Sequence, residues 1–177
     1  MAAPFFTLGS INAPTRKETT YFMPRFDTSQ GRSVDHCHVP DFPCNDRETT
    51  QEERKQAREW MERNFPNNTV LRVASWKYNC HGYAYSGAHA WFNYPEMFID
   101  DDFAEVPLET ARVGDVVLYM NDDELTHSAI VHSVSGGKIK KVRGKWGAMP
   151  AVKHAPEDVM PGYGAPARLL RRLAGIS

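Results

Sequence analysis

The first regular pattern along the chain is helical and begins at Thr50. Apolar side chains recur every three or four positions among charged ones, at Ala57, Trp60, Met61 and Phe65. This spacing gives one apolar face on a charged helix. Thr50 and Glu53 have the spacing of a capping box, in which each side chain satisfies a free amide of the first turn. Pro66 and the asparagines after it are expected to end the helix.

A second helix is predicted from Asn79 to Trp91. The positions on its inner face are small or aromatic: Cys80, Tyr83, Ala84, Gly87, Ala88 and Trp91. Small residues on a helix face suit close packing against a sheet. Asn79 is a favourable N-cap, because its side-chain oxygen can accept from a free amide of the first turn. We therefore expect Cys80 to lie in the first turn.

Beyond residue 112 the pattern changes to the alternation of period 2 that is typical of strands. The segments predicted as strands are Val116–Met120, His127–Val134 and Ile139–Trp146, with a last short strand or helix over Ala167–Leu173. A polar turn over Asn121–Glu124 and a tight hairpin loop over Ser135–Gly137 separate the first three strands. Helices followed by an antiparallel meander predict an α+β fold, with the helices packed on one face of the sheet.

Residues 1–48 differ from the rest of the chain, because they contain five prolines and no sustained period. We interpret them as an irregular arm, with at most short strands around Thr20–Phe26. The remainder, residues 49–177, is then one domain. A chain of 177 residues has the size of a single domain, with or without such an arm.

The composition is that of an ordinary globular protein with balanced charge. There are 21 basic and 22 acidic residues, which leave a formal net charge of −1 at pH 7. A chain without a positive field is poorly suited to nucleic acid. No apolar run is long enough for a transmembrane helix, and no signal peptide is visible at the N-terminus. We therefore expect cytoplasmic synthesis, with no nucleic-acid or membrane partner.

Cys80 and His127 form the candidate constellation for chemistry. Cys80 stands at a predicted helix start, and His127 stands in a predicted strand 47 positions later. A thiol becomes a strong nucleophile when it ionises. The amides of a helix N-terminus lower its pKa, and a nearby imidazole takes its proton. We therefore expect the pKa of Cys80 to lie below the free value of about 8.5.

Two other histidines compete with His127 for the role of base. His81 follows the cysteine directly, and adjacent helical residues point about 100° apart, so its ring faces away from the thiol. Strand alternation places His127 with Ala129 and Val131 on one face and His132 on the other. Because Ala129 and Val131 suit packing against a helix of small residues, His127 is the better candidate.

Three motifs occur in a recognisable order. A cysteine at a helix start is followed by a Gly-Asp-apolar-apolar strand at Gly114–Tyr119 and by a His-x-Ala-Ile-Val strand at His127–Val131. This order resembles the papain-like cysteine peptidases and amidases of the NlpC and CHAP types, over Lys77–Trp146. The resemblance implies a papain-like fold and hydrolysis of amide bonds, commonly in bacterial cell-wall peptides. It also implies that Cys80 is the nucleophile and His127 the base.

The resembling families usually have a third polar residue on the next strand, which orients the base. The matching strand of this chain offers Lys141, Arg143 and Lys145, whose side chains cannot accept the second imidazole proton. His154, just after that strand, is the best remaining candidate. Asp115 and Asp158 are weaker alternatives.

Two further features have simpler interpretations. Asp35–His38 together with Cys44 invites a zinc site, but consecutive residues point apart and no second cluster follows at ligand spacing. We expect no metal and no cofactor; Cys37 and Cys44 are plain loop residues or a close thiol or disulfide pair. The basic residues of strand 138–145 are expected on a solvated face, or as an attraction for an acidic substrate or partner.

The function expected from these observations is a cysteine-dependent amide hydrolase acting on a peptide or a peptidoglycan stem. Without a visible signal peptide, such an enzyme would be an injected effector or a phage lysin that leaves the cell by another route. The alternatives are a toxin-like deamidase or acyltransferase of cytosolic proteins with the same two residues, and a catalytically silent interaction module. An inhibitory immunity or carrier protein is a conceivable partner.

Overall fold

The computed structural model describes residues 26–34 and 49–175 of the chain. Its elements follow in the order β1 (Phe26–Asp27), β2 (Ser33–Val34), α1 (Gln51–Asn64), β3 (Thr69–Arg72), α2 (Cys80–Tyr85), α3 (Glu96–Asp102), β4 (Phe103–Val106), β5 (Val116–Asn121), β6 (Glu124–Ser135), β7 (Lys138–Lys145), β8 (Ala151–His154) and β9 (Ala165–Arg172). Within these residues, no helix has the length and apolarity needed to cross a membrane.

Strands β3 to β9 form one antiparallel sheet in the order β3-β8-β7-β6-β5-β9-β4. The strands β5, β6, β7 and β8 lie side by side in chain order, which is the predicted meander. β9 and β4 extend the sheet beyond β5, and β3 extends it beyond β8. The expectation of an α+β fold built on an antiparallel meander is confirmed at this level.

The two faces of the sheet carry different residues of the meander. Leu118 pairs with Ser128, and Val117 pairs with Ala129. Because side chains alternate along a strand, the first pair lies on one face and the second pair on the other. Tyr85 of α2 hydrogen-bonds to the Ser128 hydroxyl, so α2 lies on the face of Leu118 and Ser128. We call this the first face, and the face of Val117 and Ala129 the second face.

The predicted first helix, α1, packs on the second face. Its Met61 contacts Trp146 and Val152, and Val152 pairs with Gly144, which pairs with Ala129. Helices therefore cover both faces, and the prediction that they share one face is wrong. An apolar stripe shows that a helix is covered on one side, but it does not show which face of a sheet covers it.

The capping box begins α1 as predicted. The amide of Glu53 donates to the Thr50 hydroxyl at 3.2 Å, and the amide of Thr50 donates to the Glu53 carboxylate at 2.8 Å. Phe65 is the C-cap, and its amide donates to the carbonyl of Met61 at 2.8 Å.

The second predicted helix is much shorter than expected. It starts at Cys80 after the Asn79 cap, as predicted, but ends at Tyr85 instead of Trp91. Gly87 and Ala88 have positive φ angles of 65° and 76°, which turn the chain back over the helix. The returning carbonyl of Ala90 lies so close to Gly82 that a Cβ there would be 1.7 Å from its oxygen. The small residues serve this backbone contact and not a longer helix.

The alternating segments are strands, with boundaries shifted by at most three residues. β6 starts at Glu124, before the predicted start, and the last segment is a strand and not a helix. Gly136 and Gly137 turn the β6–β7 hairpin with positive φ angles of 59° and 70°, as the tight loop requires. The pattern misses β3, α3, β4 and β8, which are only four to seven residues long.

Within the proposed arm, the structure describes residues 26–34, which form a small hairpin against α3. The amide of Ser29 donates to Asp102 at 2.8 Å, and the guanidinium of Arg32 donates to Asp101 at 2.7 Å. The other expectations for the arm, which concern strands before Phe26, the Asp35–His38 cluster and the cysteines at 37 and 44, lie outside the described residues.

Candidate active site

Cys80 is the first residue of α2, and its position is fixed by the Asn79 cap. The Asn79 side-chain oxygen accepts from the amides of Gly82 at 2.9 Å and Phe92 at 3.2 Å. The Asn79 side-chain amide also donates to the carbonyl of Phe92. One buried side chain thus ties the helix start to the returning chain. Cys80 lies in the first turn, as the sequence predicts.

The thiol of Cys80 is held near the end of the β6–β7 ladder. The pairing of β6 with β7 begins at Ala129 and Gly144, so Ser128 lies one residue beyond it. The backbone amide of Ser128 interacts with the Cys80 sulfur. Burial raises the pKa of Cys80 to about 11, against the lowering effects of the Ser128 and His81 amides and of the Lys145 charge. The expected lowering is therefore reversed, because burial outweighs the few aligned amides of a six-residue helix.

Cys80 opens on a surface cleft of about 370 Å³. The lining includes Trp91 after α2, Thr126 on β6, Gly147 after β7 and Tyr163 before β9. Trp91 stacks on Trp76, with ring centroids 6.2 Å apart. Cys80 is thus a lining residue of the cleft, with 5 % of the residue exposed.

His127 lies on β6 and is completely buried. Its ring stacks on Tyr163 and meets Tyr119 edge-on, with centroids 4.5 Å and 5.1 Å away. Neither ring nitrogen has a hydrogen-bond partner among the described residues. Burial, together with the nearby imidazoles of His154 and His81, holds the pKa of His127 well below its ordinary value. The ring is therefore neutral and has a free lone pair.

The prediction that α2 packs against the face of His127, Ala129 and Val131 is wrong. α2 packs on the first face, where Ser128 lies, and not against Ala129 and Val131. His127 is on the second face, one residue before Ser128, whose amide interacts with the Cys80 sulfur at the open end of the β6–β7 ladder.

The two competing histidines are placed differently. His81 Nδ1 hydrogen-bonds to the Ser128 hydroxyl at 3.0 Å, and burial lowers its pKa to about 4. His132 is exposed on β6. Of the three, His127 is the buried ring whose two nitrogens are both unpartnered.

His154 ends β8, on the same face as His127. His154 pairs with Val142, and Val142 pairs with Val131. Because Val131 shares the second face with His127, His154 lies on that face too. Nδ1 donates to the carbonyl of Ala155 at 2.7 Å. In the neutral ring this leaves Nε2 as an acceptor, and that buried atom has no partner within the described residues. His154 can therefore accept the second N–H of an imidazole.

The carboxylates proposed as alternatives have other environments. Asp115 is paired with Arg171 at 2.8 Å and accepts from the amide of Arg112 at 2.8 Å. Asp158 is half-buried. Its charge raises the pKa of His154, whereas the burial of His154 lowers it. Neither side chain is an unsatisfied acceptor comparable to His154.

Gly144 on β7 leaves space for the His127 ring. A Cβ at this position would lie 3.1 Å from His127 Nε2 and 3.3 Å from the Cβ of Ala129. Gly144 is not among the site residues predicted from the sequence, although a glycine inside a strand is a known sign of close approach.

Lys145 at the end of β7 is the largest departure from the sequence expectation. Its side chain is completely buried, whereas Lys138, Lys140 and Arg143 on the same strand are exposed as expected. Burial lowers the pKa of Lys145 to about 7, while the charge on Cys80 raises it. The neighbouring Trp146 and Gly147 are the only local signs that the solvated strand ends there.

No family model matches this chain, and no curated protein or solved structure shows significant similarity to it. Among residues 26–34 and 49–175, no group of three His, Cys, Asp or Glu side chains is placed to hold a metal ion. The chemistry of the site is therefore argued from its own residues.

Proposed function

We propose that this protein is a cysteine-dependent amide hydrolase of the papain-like type. Cys80 is the nucleophile, His127 is the general base and acid, and His154 orients the His127 ring. The preferred substrate is a peptide of the bacterial cell wall, following the resemblance of the motifs.

One observation carries this proposal: a set of unsatisfied imidazole nitrogens is buried beside the strand position that contacts the thiol. Buried polar atoms are nearly always hydrogen-bonded, yet both nitrogens of His127 and Nε2 of His154 have no partner within the described residues. Catalytic hydrogen bonds are often long in a free enzyme and shorten when substrate binds. The imidazole of His127 is neutral and the thiol of Cys80 is protonated, which are the protonation states that the reaction needs.

The reaction has two halves. The thiol proton passes to a ring nitrogen of His127 while the sulfur attacks the amide carbonyl carbon. The C–N bond then breaks, the amine leaves with the proton from His127, and an acyl thioester remains on Cys80. Water attacks the thioester and gives a proton to His127, which returns it to the departing sulfur as the carboxylic acid is released.

The amide of Cys80 is the proposed donor to the carbonyl oxygen during attack. Such donors act where negative charge develops, and removing one costs about 10²–10³-fold in rate. Trp91 and Tyr163 in the cleft offer apolar surface for the acyl or amine side of the substrate.

The decisive test compares three variants on isolated peptidoglycan sacculi. The wild-type protein should release new amines, detected with fluorescamine, whereas Cys80→Ala and His127→Ala should not. The exposed His132→Ala is the matched control and should keep its activity. Amine release by Cys80→Ala would disprove the mechanism.

Intact sacculi at high protein concentration would contradict the cell-wall substrate but not the chemistry. In that case, expression of the protein without an export signal tests the alternative of a cytosolic protein substrate. Growth arrest with the wild type and normal growth with Cys80→Ala would support that alternative.

A further inference from the structure

Lys145 is a buried lysine that forms no ion pair with the described residues. The residue has 0 % exposure, and none of the described carboxylates forms an ion pair with it. Lysines are almost never fully buried unless they are paired, because removing an ammonium from water costs several kcal/mol.

Three contacts of Lys145 favour its protonated form against the effect of burial. Nζ donates to the carbonyl of Ser75 at 2.7 Å and to the carbonyl of Gly147. It also lies 4.8 Å from the centroid of the Tyr78 ring. Carbonyl oxygens only accept hydrogen bonds, and an aromatic face attracts a cation. Each contact favours the ammonium over the neutral amine.

The same contacts connect Lys145 with the surroundings of Cys80. Tyr78, under the ammonium, precedes Cys80 by two residues, and Gly147, which accepts from the ammonium, lines the cleft together with Cys80. The electrostatic effect is mutual: the charge of Lys145 lowers the pKa of the thiol, and the charge of Cys80 raises the pKa of the amine.

The other titratable groups around the thiol are neutral at pH 7. They are His81 and Tyr85 of α2, His127 of β6 and Tyr163 before β9, whose pKa values are all shifted towards the uncharged form by burial. Glu124 at the cleft is charged but exposed, and its sign opposes a thiolate. In the described part of the chain, Lys145 is thus the cation available to balance negative charge on the sulfur.

We propose that the Lys145 ammonium is a positioning residue of the active site, the buried counter-charge that stabilises the Cys80 thiolate. The inference rests on the proposed function in treating Cys80 as the nucleophile. Burial disfavours the negative charge of the Cys80 thiolate, so a positive charge inside the protein is needed to balance it. In this proposal Lys145 on β7 supplies that charge, and His127 on β6 accepts the proton.

The test is the rate of iodoacetamide alkylation at Cys80, mapped by mass spectrometry from pH 5 to pH 10. Lys145→Met keeps the length of the side chain and removes the charge. An opposite charge at close range lowers an acid's pKa by about 1–3 units, so alkylation at pH 7 should slow at least about tenfold. Arg143→Met removes an exposed cation from the same strand and should leave the rate within twofold of the wild type.

Equal alkylation rates in folded Lys145→Met and wild type would overturn the inference, since a purely structural lysine does not change the pH profile of a thiol. If Lys145→Met does not give a native near-ultraviolet circular dichroism spectrum, the reciprocal effect is measured. In protein with ¹³C at lysine Cε, the Lys145 titration should extend to higher pH in the wild type than in Cys80→Ser. Superimposable titration curves would contradict the inference.

This experiment separates the inference from the proposed function, because alkylation needs no substrate. Slower alkylation of Lys145→Met, in a protein that hydrolyses no amide, would support the thiolate–ammonium pair and contradict the hydrolase. An active hydrolase with an unchanged alkylation profile in Lys145→Met would do the reverse.

Discussion

The rings of His127 and Tyr163 lie stacked, with centroids 4.5 Å apart and planes inclined by 10°. Tyr163 also lines the cleft, together with Cys80. Its ring is therefore one of the groups that bury the proposed base. Because burial is the main cause of the lowered pKa of His127, we expect this ring to contribute to keeping the base neutral.

Replacing Tyr163 should change the titration of His127. Tyr163→Ala opens the ring to water, so the pKa of His127 should rise towards the ordinary value of about 6.5. The measurement is the His127 Cε1–H chemical shift as a function of pH. Tyr163→Phe keeps the stacked ring and is the matched control, expected to titrate like the wild type. An unchanged midpoint in Tyr163→Ala would show that other groups exclude water from His127.

Gly144→Ala should impair turnover more than stability. The new methyl group would lie 3.1 Å from His127 Nε2, which forces the ring or the strand to move by a few tenths of an ångström. General acid–base catalysis contributes about 10²–10⁴-fold, so we expect a loss of about tenfold or more in kcat. Arg143→Ala, on the adjacent exposed position, should retain full activity. Full activity of Gly144→Ala would place the catalytic nitrogen elsewhere.

His154 should act through acceptance of a hydrogen bond. His154→Leu removes the Nε2 acceptor and should lower kcat by about 10²-fold, within the range of acid–base catalysis. His154→Gln offers a side-chain oxygen and should recover part of the loss. Both variants should melt below the wild type, because the residue is completely buried. Equal kcat values for the Leu and Gln variants would remove His154 from the mechanism.

Local signals made much of this site predictable. The Asn79 cap and the capping box at Thr50 depend on residues within three positions of each other, so their chemistry is visible in the sequence. The alternation in β5 to β7 likewise reports side chains that are buried on one or both faces. The candidates Cys80 and His127 came from these local elements.

Long-range placement was not predictable in the same way. The pattern identified the strand of His127, but the face on which α2 packs depends on contacts such as that of Tyr85 with Ser128. The buried amine of Lys145 donates to two backbone carbonyls, those of Gly147 and Ser75. Ser75 lies 70 residues earlier in the chain, so this contact is not visible in the local sequence. The high pKa of the thiol has the same origin, since it depends on the depth of burial and not on the helix start.

Neutral buried histidines should make the protein sensitive to acid. The pKa of His81 is lowered to about 4 in the folded protein, against about 6.5 when unfolded. Between these values the unfolded chain binds more protons, so stability is complete above pH 6.5 and is lost as the pH falls towards 4. His127 and His154 are shifted in the same direction and add to the loss.

The contribution of His81 can be isolated by mutation. Linkage predicts that it lowers the free energy of unfolding by about 2 kcal/mol between pH 7 and pH 5. His81→Gln keeps a polar partner for the Ser128 hydroxyl but does not titrate, so its urea midpoint should fall less over this interval than that of the wild type. His132→Gln removes an exposed histidine and should retain the wild-type pH dependence. If both variants lose stability as steeply as the wild type, His81 is protonated in the folded protein, and the neutral environment proposed around Cys80 is wrong.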